Sequence, residues 1–392
     1  MNNHNPKKVF IVAGEASGDL HAGNLIRAVK EHLPKTDFYG MGGLEMQAAG
    51  ARLTHDLRKV SVIGLVEVLS RLPTILRTLK ELGNSLPVEK PDLAILVDFP
   101  DFNLKLAEKL KKAGIPVLWY ISPQVWAWRA ERIPKLVTLI DYMLVILPFE
   151  VDFYRKHNLN VHFVGHPLID KVAARLSPTE TRSQLGLKAD APLIALLPGS
   201  RNIEIKLLLP HLKKAAEVLY SRHTKYQFVI PVANTLDPTK IENKLANAKA
   251  PIKVVSGKTY DVVASADCAV VAAGTATLET ALLNTPAIII GRVSRLTWFL
   301  WSRYTNLPYY GLPNYIVERK LMPELIQHQA SGEQIAQKLE ELLNSEIEKT
   351  RLQEGYQEIR TRLGIGGASE NAAKAVIDIL SGDSAKYKFS SF

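Results

Sequence analysis

The sequence predicts an α/β protein with two domains, each built on a doubly wound parallel sheet. The chain has 392 residues, which is more than a single hydrophobic core usually organises. Short apolar runs alternate with amphipathic stretches, a pattern typical of parallel strands joined by helical crossovers. These runs form two series, and Gly165–Pro167 separates them with residues that interrupt regular structure.

The predicted strands are apolar throughout, which suits strands buried on both faces. The first series consists of Val9–Ala13, Leu93–Val97, Val117–Ile121 and Tyr142–Ile146. The second series consists of Leu193–Leu197, Phe228–Ile230, Ile252–Val255, Ala269–Val271 and Ala287–Ile290. A helix is predicted over Ala22–Leu33, whose apolar residues recur on one face.

Composition narrows the classes of function. The net charge of +10 favours anionic partners, but the Lys and Arg residues are scattered, so nucleic acid is not expected as a partner. The one cysteine, Cys268, lies in an apolar run and is predicted to be buried and inert. The first eight residues are polar and no apolar run reaches about 18 residues, so we expect a cytoplasmic protein.

Two turns of the first domain are candidate sites, because ligands of open α/β sheets bind beyond the carboxyl ends of the strands. Gly14–Asp19 could bind an anion through its glycines and a helix N-terminus, although a tight connection explains it equally well. Asp98 ends an apolar strand, where burial would raise the pKa of a carboxyl and let it accept a proton from a sugar hydroxyl. The alternative is that Asp98 or Asp101 caps a helix that starts near Leu104; we favour capping for Asp101 and catalysis for Asp98.

The second domain opens with a turn that could bind a diphosphate. Gly199 and Ser200 follow an apolar strand, and Arg201 stands at a predicted helix start. Backbone N–H groups, the helix dipole and a fixed guanidinium would act together on an anion. Pairing of Arg201 with Glu204 is the alternative interpretation.

A second turn of this domain has related chemistry. Gly274 and Thr275 precede a helix, and Glu279 lies about one turn further along it. A carboxylate in this position can accept both hydroxyls of a ribose. The alternative is that Thr275 is an ordinary N-cap and that Glu279 is a charge on the helix surface.

No motif indicates a metal or another cofactor. The sequence has no Asp-x-Asp, no His-Glu-x-x-His and no P-loop, and one Cys cannot build a thiolate zinc site. His21 and His166 lie near candidate loops and are interpreted as structural. We therefore expect no metal and no cofactor.

Taken together, the turns resemble the lipid A disaccharide synthase family, inverting glycosyltransferases of the GT-B fold. The resemblance extends over about residues 9–375, and Ser122–Arg129, a motif rich in tryptophan, is its most specific part. Position 124 varies within the family, and the Met322–Gln327 motif departs slightly, with Met322 where the family pattern has Val. The motifs that carry the resemblance are Gly14–Asp19, Val97–Asn103, Ser122–Arg129, Leu197–Arg201, Gly274–Glu279 and Met322–Gln327.

The resemblance implies two Rossmann-like domains that face a central cleft. Residues 1–166 would form the acceptor side, joined by a C-terminal helix over about 367–392, and residues 167–366 would bind the UDP-sugar. The implied reaction joins UDP-2,3-diacylglucosamine to 2,3-diacylglucosamine 1-phosphate through a β-1,6 linkage and releases UDP. This step belongs to lipid A and lipopolysaccharide biosynthesis in Gram-negative bacteria.

The resemblance also implies roles for individual residues. Asp98 would be the catalytic base that deprotonates the acceptor hydroxyl. The implied donor-site residues are Gly199, Ser200, Arg201, Gly274, Thr275, Glu279, Asn314 and Glu324. The implied acceptor or cleft residues are Glu15, Ser17, Gln124 and Trp126.

Acylated substrates imply an apolar surface and peripheral contact with the inner face of the cytoplasmic membrane. Val66–Arg77 is amphipathic with basic flanks, and Trp298–Trp301 is a second apolar candidate, although burial would explain both patterns. The sequence leaves open whether the protein forms a homodimer. The alternatives are a UDP-N-acetylglucosamine 2-epimerase, the peptidoglycan N-acetylglucosaminyltransferase, or a non-catalytic nucleotide-binding protein.

Overall fold

The computed structural model describes residues 6–59, 65–233, 235–294, 297–299, 303 and 307–383; at 59, 65–71 and 128 it describes the backbone alone. The chain divides into two compact units. Unit 1 comprises Met1–Pro167 together with Gly366–Phe392, and unit 2 comprises Leu168–Ile365.

Unit 1 is built on a parallel sheet. Its strands are β1 (Lys8–Ala13), β2 (Asp37–Gly42), β3 (Arg52–Asp56), β4 (Leu93–Val97), β5 (Val117–Tyr120), β6 (Tyr142–Val145) and β7 (Val161–Phe163). The described part of the sheet has seven strands in the order β3-β2-β1-β4-β5-β6-β7. The side chains of β1 and β4 are buried on both faces, as expected for strands covered by helices.

Helices cover both faces of this sheet. They are α1 (Ala16–His32), α2 (Leu44–Ala48), α3 (Leu65–Glu89), α4 (Pro100–Lys112), α5 (Val125–Trp128), α6 (Ile133–Leu139), α7 (Phe149–Arg155) and, from the C-terminal part, α17 (Ala368–Leu380). The small buried residues Ala372 and Ala373 let α17 pack into the same core as Leu25 and Val29 of α1. None of the described helices of the chain is both long enough and apolar enough to cross a membrane.

Unit 2 repeats this architecture. Its strands are β8 (Leu193–Leu197), β9 (Gln227–Val232), β10 (Ile252–Ser256), β11 (Cys268–Ala272), β12 (Ala287–Gly291) and β13 (Glu324–Ile326). They form a parallel sheet, six-stranded in the described residues, in the order β10-β9-β8-β11-β12-β13. Its helices include α8 (Leu168–Lys171), α9 (Pro178–Gln184), α10 (Asn202–Arg222), α11 (Pro238–Leu245), α12 (Thr259–Ser265), α13 (Thr275–Leu282), α14 (Leu312–Ile316), α15 (Gly332–Asn344) and α16 (Glu346–Leu363).

Each sheet has one point where the strand order reverses direction. In unit 1 the chain runs outward from β1 to β3 and then returns to β4 on the other side of β1. In unit 2 it runs outward from β8 to β10 and returns to β11 beside β8. A crevice forms at the carboxyl ends of the two strands that flank such a switch point, and ligands of this class of fold bind there.

The prediction of two parallel-sheet α/β domains is confirmed, and all nine predicted strands are present. Four strands were missed: β2 contains two glycines, β3 has a partly exposed sheet-edge pattern, and β7 and β13 have three residues each. The buried state of Cys268 is also confirmed, and burial raises the pKa of its thiol to about 12.

Candidate functional site

The turn after β4 holds Asp98 in a strained backbone conformation. Asp98 and Phe99 have φ values of 47° and 50°, so two successive non-glycine residues are left-handed. The Asp98 N–H donates to the Tyr120 carbonyl at 3.2 Å, and the fully buried Asn103 amide donates to the Asp98 carbonyl at 2.7 Å. These bonds to β5 and α4 fix the turn from both sides.

Gly14 makes room for this turn. A side chain at position 14 would overlap the ring of Phe99. The glycine that follows β1 is therefore required by the packing of the neighbouring strand's turn. This close approach brings the two turns of the switch point together.

Asp98 and Glu15 interact across the switch point. Partial burial and, to a smaller extent, the negative charge of Glu15 together raise the pKa of Asp98 to about 6. A carboxyl with this pKa is ionised above about pH 6 and is a stronger base than an ordinary aspartate. The side chains of Glu15 and Ser17 are exposed at the start of α1.

Asp19, the last residue of the Gly14–Asp19 motif, has a structural function. Its buried carboxylate accepts hydrogen bonds from the backbone N–H groups of Gly43, Glu45 and Met46 at 2.7, 3.0 and 3.2 Å. It therefore binds the N-terminus of α2, where backbone donors lack partners within the helix. This motif combines a structural carboxylate with the exposed Glu15 and Ser17.

The prediction that Asp101 caps α4 is wrong. The helix begins at Pro100 rather than near Leu104, its N-cap is Phe99, and no side chain caps it. The Asp101 carboxylate instead pairs with Arg129 at 2.9 Å and with Arg132 at 2.5 Å. Proline is well suited to the first helical position, which moves the helix start ahead of the apolar periodicity.

The tryptophan motif is anchored by Glu150, a residue that the sequence analysis missed. Glu150 is 1% exposed and accepts hydrogen bonds from Ser122 Oγ at 2.6 Å and Trp126 Nε1 at 3.0 Å. Burial raises the pKa of Glu150 to about 7, against the opposing effect of its hydrogen-bond donors. The sequence signal that could have identified Glu150 is a carboxylate that follows the apolar strand β6, as Asp98 follows β4. Gln124, between the two anchored residues, is exposed.

Unit 2 contains a cavity of about 740 Å³ at its switch point. The turns after β8 and β11 both contribute to its wall. Six of the predicted donor-site residues line it, namely Gly199, Ser200, Arg201, Gly274, Thr275 and Glu279. The wall also includes the cationic residues Lys171, Arg175 and Lys258.

Glu204 organises the turn that carries Arg201. One carboxylate oxygen of Glu204 accepts the N–H groups of Ser200 and Arg201 at 2.8 and 3.2 Å. The other oxygen lies 3.4 Å from the Arg201 guanidinium, whose side chain is 69% exposed. The Arg201–Glu204 pair is thus present, but so exposed an ion pair holds a side chain weakly, and the guanidinium can reach a ligand.

The turn after β11 places Gly274, rather than Thr275, at the N-cap of α13. The φ of Gly274 is 150°, and at Gly199 it is 106°, a region that favours glycine. Glu279 accepts a hydrogen bond from Tyr260 Oη at 2.8 Å. Tyr260 also lines the cavity and orients the Glu279 carboxylate within it.

Asn314 and Glu324 contact each other but are not among the described residues that line the cavity. Asn314 is fully buried and exchanges two hydrogen bonds with the Met322 backbone, at 2.7 and 3.0 Å. Glu324 accepts from the Asn314 amide at 2.9 Å and from the N–H groups of Tyr310 and Gly311. Both side chains hold the start of α14 against the residues that lead into β13.

The predicted apolar surfaces lie partly outside the described residues. In Val66–Arg77, the side chains up to residue 71 are not described, whereas Leu72 and Leu76 are 40% and 46% exposed. In Trp298–Trp301, Phe299 is 64% exposed and residues 300 and 301 are not described. Across the described side chains, no group of three or more His, Cys, Asp or Glu could hold a metal ion.

Comparison with known proteins decides the family. The family model described as Lipid-A-disaccharide synthetase matches residues 9–377. The chain belongs to this family. The lipid-A-disaccharide synthase of Syntrophus aciditrophicus is 46% identical over 96% of this chain and 98% of its own length. That of Myxococcus xanthus is 42% identical over 96% and 98%.

Solved structures share the fold at low identity. The UDP-GlcNAc 2-epimerase of Neisseria meningitidis bound to UDP-GlcNAc has a TM-score of 0.62 at 14% identity, covering 96% of this chain and all of its own. MurG of Acinetobacter baumannii has a TM-score of 0.57 at 16% identity, with coverage of 96% and 100%. The predictions of the GT-B fold and of a glycosyltransferase of this family are confirmed, and the alternative functions are not favoured.

Proposed function

We propose that this protein transfers 2,3-diacylglucosamine from its UDP derivative to 2,3-diacylglucosamine 1-phosphate, forming a β-1,6 linkage and releasing UDP. The observation that carries the proposal is the family match over residues 9–377. The chemistry at the two switch points supports it, because one carries a partly buried carboxylate and the other a cavity lined by cations and backbone donors.

Asp98 is the general base in this proposal. Its carboxylate takes the proton of the acceptor 6-hydroxyl, and the oxygen attacks the anomeric carbon of the donor sugar. The bond from that carbon to the diphosphate breaks at the same time, and its electron pair leaves with UDP. An α-linked donor that gives a β-linked product requires this single in-line displacement. The raised pKa of Asp98 suits proton abstraction near neutral pH.

The cavity of unit 2 receives the donor nucleotide in this proposal. Arg201 and the N–H groups at the start of α13, around Thr275, stabilise the charge that develops on the leaving diphosphate, and Glu204 holds the Ser200 turn that carries Arg201. Glu279, oriented by Tyr260, accepts the ribose hydroxyls. These groups supply the positive potential that the leaving group needs, so the proposal includes no metal.

The remaining predicted residues have supporting functions in the proposal. Asn314 and Glu324 belong to the donor side and act by shaping the backbone of the segment that they bind. Glu15 and Ser17 face the acceptor from the turn after β1, and Gln124 and Trp126 face it from the turn after β5. Each of these turns follows a strand of the same parallel sheet.

Contact with the membrane surface belongs to the same proposal. The acceptor and the donor both carry acyl chains, and α3 exposes Leu72 and Leu76 beside the Arg77 side chain, which is 70% exposed. Apolar side chains flanked by basic ones are suited to an anionic bilayer surface. We therefore place the protein in the cytoplasm, at the inner face of the cytoplasmic membrane.

Incubation with both acylated sugars, followed by mass spectrometry, tests the proposed reaction. We expect a product with the mass of the acylated disaccharide phosphate and one equivalent of UDP, and the same yield in the presence of a chelator. A parallel incubation uses UDP-N-acetylglucosamine without acyl chains. Turnover of that donor alone would assign the protein to another class of UDP-sugar enzyme.

A further inference from the structure

Glu150 connects the tryptophan motif to the body of unit 1. Its carboxylate receives three hydrogen bonds: from Ser122 Oγ at 2.6 Å, from Trp126 Nε1 at 3.0 Å and from the N–H group of Leu147 at 3.2 Å. All three partners are donors, so the site is complementary to an ionised carboxylate, which only accepts. Burying such a charge is costly unless it is fully hydrogen-bonded.

Further contacts fix the same turn. Tyr154 Oη, on α7 with Glu150, donates to the Pro123 carbonyl at 2.8 Å. The rings of Trp126 and Phe149 meet edge to face, with centroids 4.9 Å apart. The turn begins at Ile121, whose φ of 64° is left-handed, and the buried indole of Trp119 donates to the Ile121 carbonyl at 3.1 Å.

These contacts fix the backbone of a turn that carries an exposed side chain, that of Gln124. Gln124 lies midway between the two side chains that Glu150 binds, and its neighbour Pro123 is held by Tyr154. The side chain of Gln124 itself is exposed. The turn follows β5, the strand next to β4 in the sheet, so it emerges from the same carboxyl edge as Asp98.

We infer that Glu150 is a positioning residue: by binding Ser122 and Trp126 it holds the turn that presents Gln124 to the acceptor sugar. This inference rests on the proposed function and extends it to a residue that does not itself touch substrate. The buried carboxylate sets the position of the turn before the acceptor arrives. Pre-organisation of this kind lowers the free-energy cost of binding and orienting a substrate.

Two substitutions of Glu150 test the inference. The control is a carboxylate that binds the start of β5, the strand whose other end leads into the turn held by Glu150. Glu150→Ala leaves the donors of Ser122 and Trp126 without their acceptor, whereas Glu150→Gln keeps one accepting oxygen. The control is Asp141→Asn, because the Asp141 carboxylate accepts from the N–H group of Val117 at the start of β5, at 2.9 Å. Each variant is compared with the wild type for kcat and acceptor KM with saturating donor, and for the Kd of UDP.

We expect kcat/KM for the acceptor to fall about 100-fold in Glu150→Ala, as for a displaced catalytic loop, and about tenfold in Glu150→Gln. The Kd of UDP should stay within about twofold of wild type, a difference of only about 0.4 kcal/mol, because Glu150 belongs to unit 1 and the donor cavity to unit 2. Asp141→Asn should keep the acceptor KM of the wild type. If Glu150→Ala does not fold, Glu150→Gln decides.

A double-mutant cycle identifies the residue through which Glu150 acts. Combining Glu150→Gln with Gln124→Ala should cost less than the sum of the two single effects, because both remove the same acceptor contact. Additive losses would overturn the assignment of Gln124. An acceptor kcat/KM in both Glu150 variants equal to that of Asp141→Asn would overturn the positioning role. Absence of transfer by the wild type would instead contradict the proposed function itself.

Discussion

The two switch points have the same topology and opposite chemistry. In unit 1 the turns after β1 and β4 bring together two carboxylates, Glu15 and Asp98, one of them partly buried on a left-handed backbone. In unit 2 the turns after β8 and β11 carry glycines and Arg201 around an open cavity. The first arrangement raises the pKa of a carboxyl, and the second offers donors and positive charge.

In the proposed function, this difference separates two catalytic tasks within one architecture. A proton acceptor requires a poorly solvated carboxylate, which a neighbouring cation would make less basic. A diphosphate requires cations and backbone N–H groups, and of the carboxylates in the wall of the unit 2 cavity, Glu204 is engaged by the Ser200 turn and Glu279 by Tyr260. Placing the two sets of residues on separate sheets allows each to be optimised without weakening the other. Four variants test whether unit 1 supplies the proton acceptor and unit 2 binds the diphosphate. They are given in order of decreasing expected effect.

Asp98→Asn should produce the largest loss. Removing the general base is expected to lower kcat about 1,000-fold, while the Kd of UDP stays at the wild-type value because the donor cavity is unchanged. The measurement is steady-state transfer together with calorimetric titration of UDP. Near-normal turnover would exclude Asp98 as the base.

The matched control for this variant is Asp92→Asn, at the other end of β4. Asp92 accepts from the Lys8 N–H group at 2.8 Å and should be dispensable for transfer. Because burial disfavours the ionised form of Asp98 in the folded state, Asp98→Asn should unfold at a temperature no lower than wild type at pH 8. A lower unfolding temperature would indicate that its loss of activity reflects loss of structure.

Arg201→Ala should weaken the binding of UDP, whereas Asp98→Asn should leave that binding unchanged. A hydrogen-bonded guanidinium on a phosphate contributes enough for an increase in Kd of about 30-fold. The control is Arg222→Ala at the last residue of α10, whose guanidinium pairs with Glu340 at 2.6 Å. Equal UDP affinities for Arg201→Ala and Arg222→Ala would remove Arg201 from the donor site.

Glu279→Gln should reduce the preference for a ribose over a deoxyribose. If the carboxylate accepts the ribose hydroxyls, the ratio of the Kd of dUDP to that of UDP should fall about fivefold in the variant. Tyr260→Phe removes only the group that orients Glu279 and should produce a smaller change in the same direction. An unchanged ratio in Glu279→Gln would place the ribose elsewhere.

Glu15→Gln should give the smallest effect, a shift in the pH profile. Asp98 must be ionised to act as a base, so kcat/KM should rise with pH through its pKa of about 6. The charge of Glu15 raises that pKa after the larger effect of burial, so its removal should lower the pKa. The acidic limb should then move to lower pH by less than about one unit, as measured by kcat/KM from pH 5 to pH 8. A shift to higher pH would contradict the interaction.

The interpretation of Asp98 shows what the local sequence could predict. An acidic residue directly after an apolar run is poorly solvated whatever the rest of the chain does, so its raised pKa followed from the pattern alone. Glu150 also comes after an apolar strand, but four residues separate it from β6 and it lies in the first turn of α7, which gave it the appearance of a surface charge. Only the packing of α7 against the turn after β5 placed it among donors.

The helix boundaries show a second limit of prediction from the local sequence. Apolar periodicity begins where a helix enters the core, but Pro100 and Ala16 start α4 and α1 before their apolar faces begin. The structural use of Asp19 and Asp101 depended on partners 24 and 28 residues away, which no local pattern reports.

The two-domain α/β class, nine strands and the turns that carry chemistry follow from the amino-acid sequence alone, because burial on both faces of a strand and the interruption of regular structure by glycine and proline are local properties. The tertiary structure decided which strands adjoin and therefore which turns meet: β1 with β4, and β8 with β11. Strand order arises from crossovers between residues far apart in the chain, and their packing has no signature in any one segment. For the same reason, only the fold could bring Glu15 to Asp98, Glu150 to Trp126 and Tyr260 to Glu279.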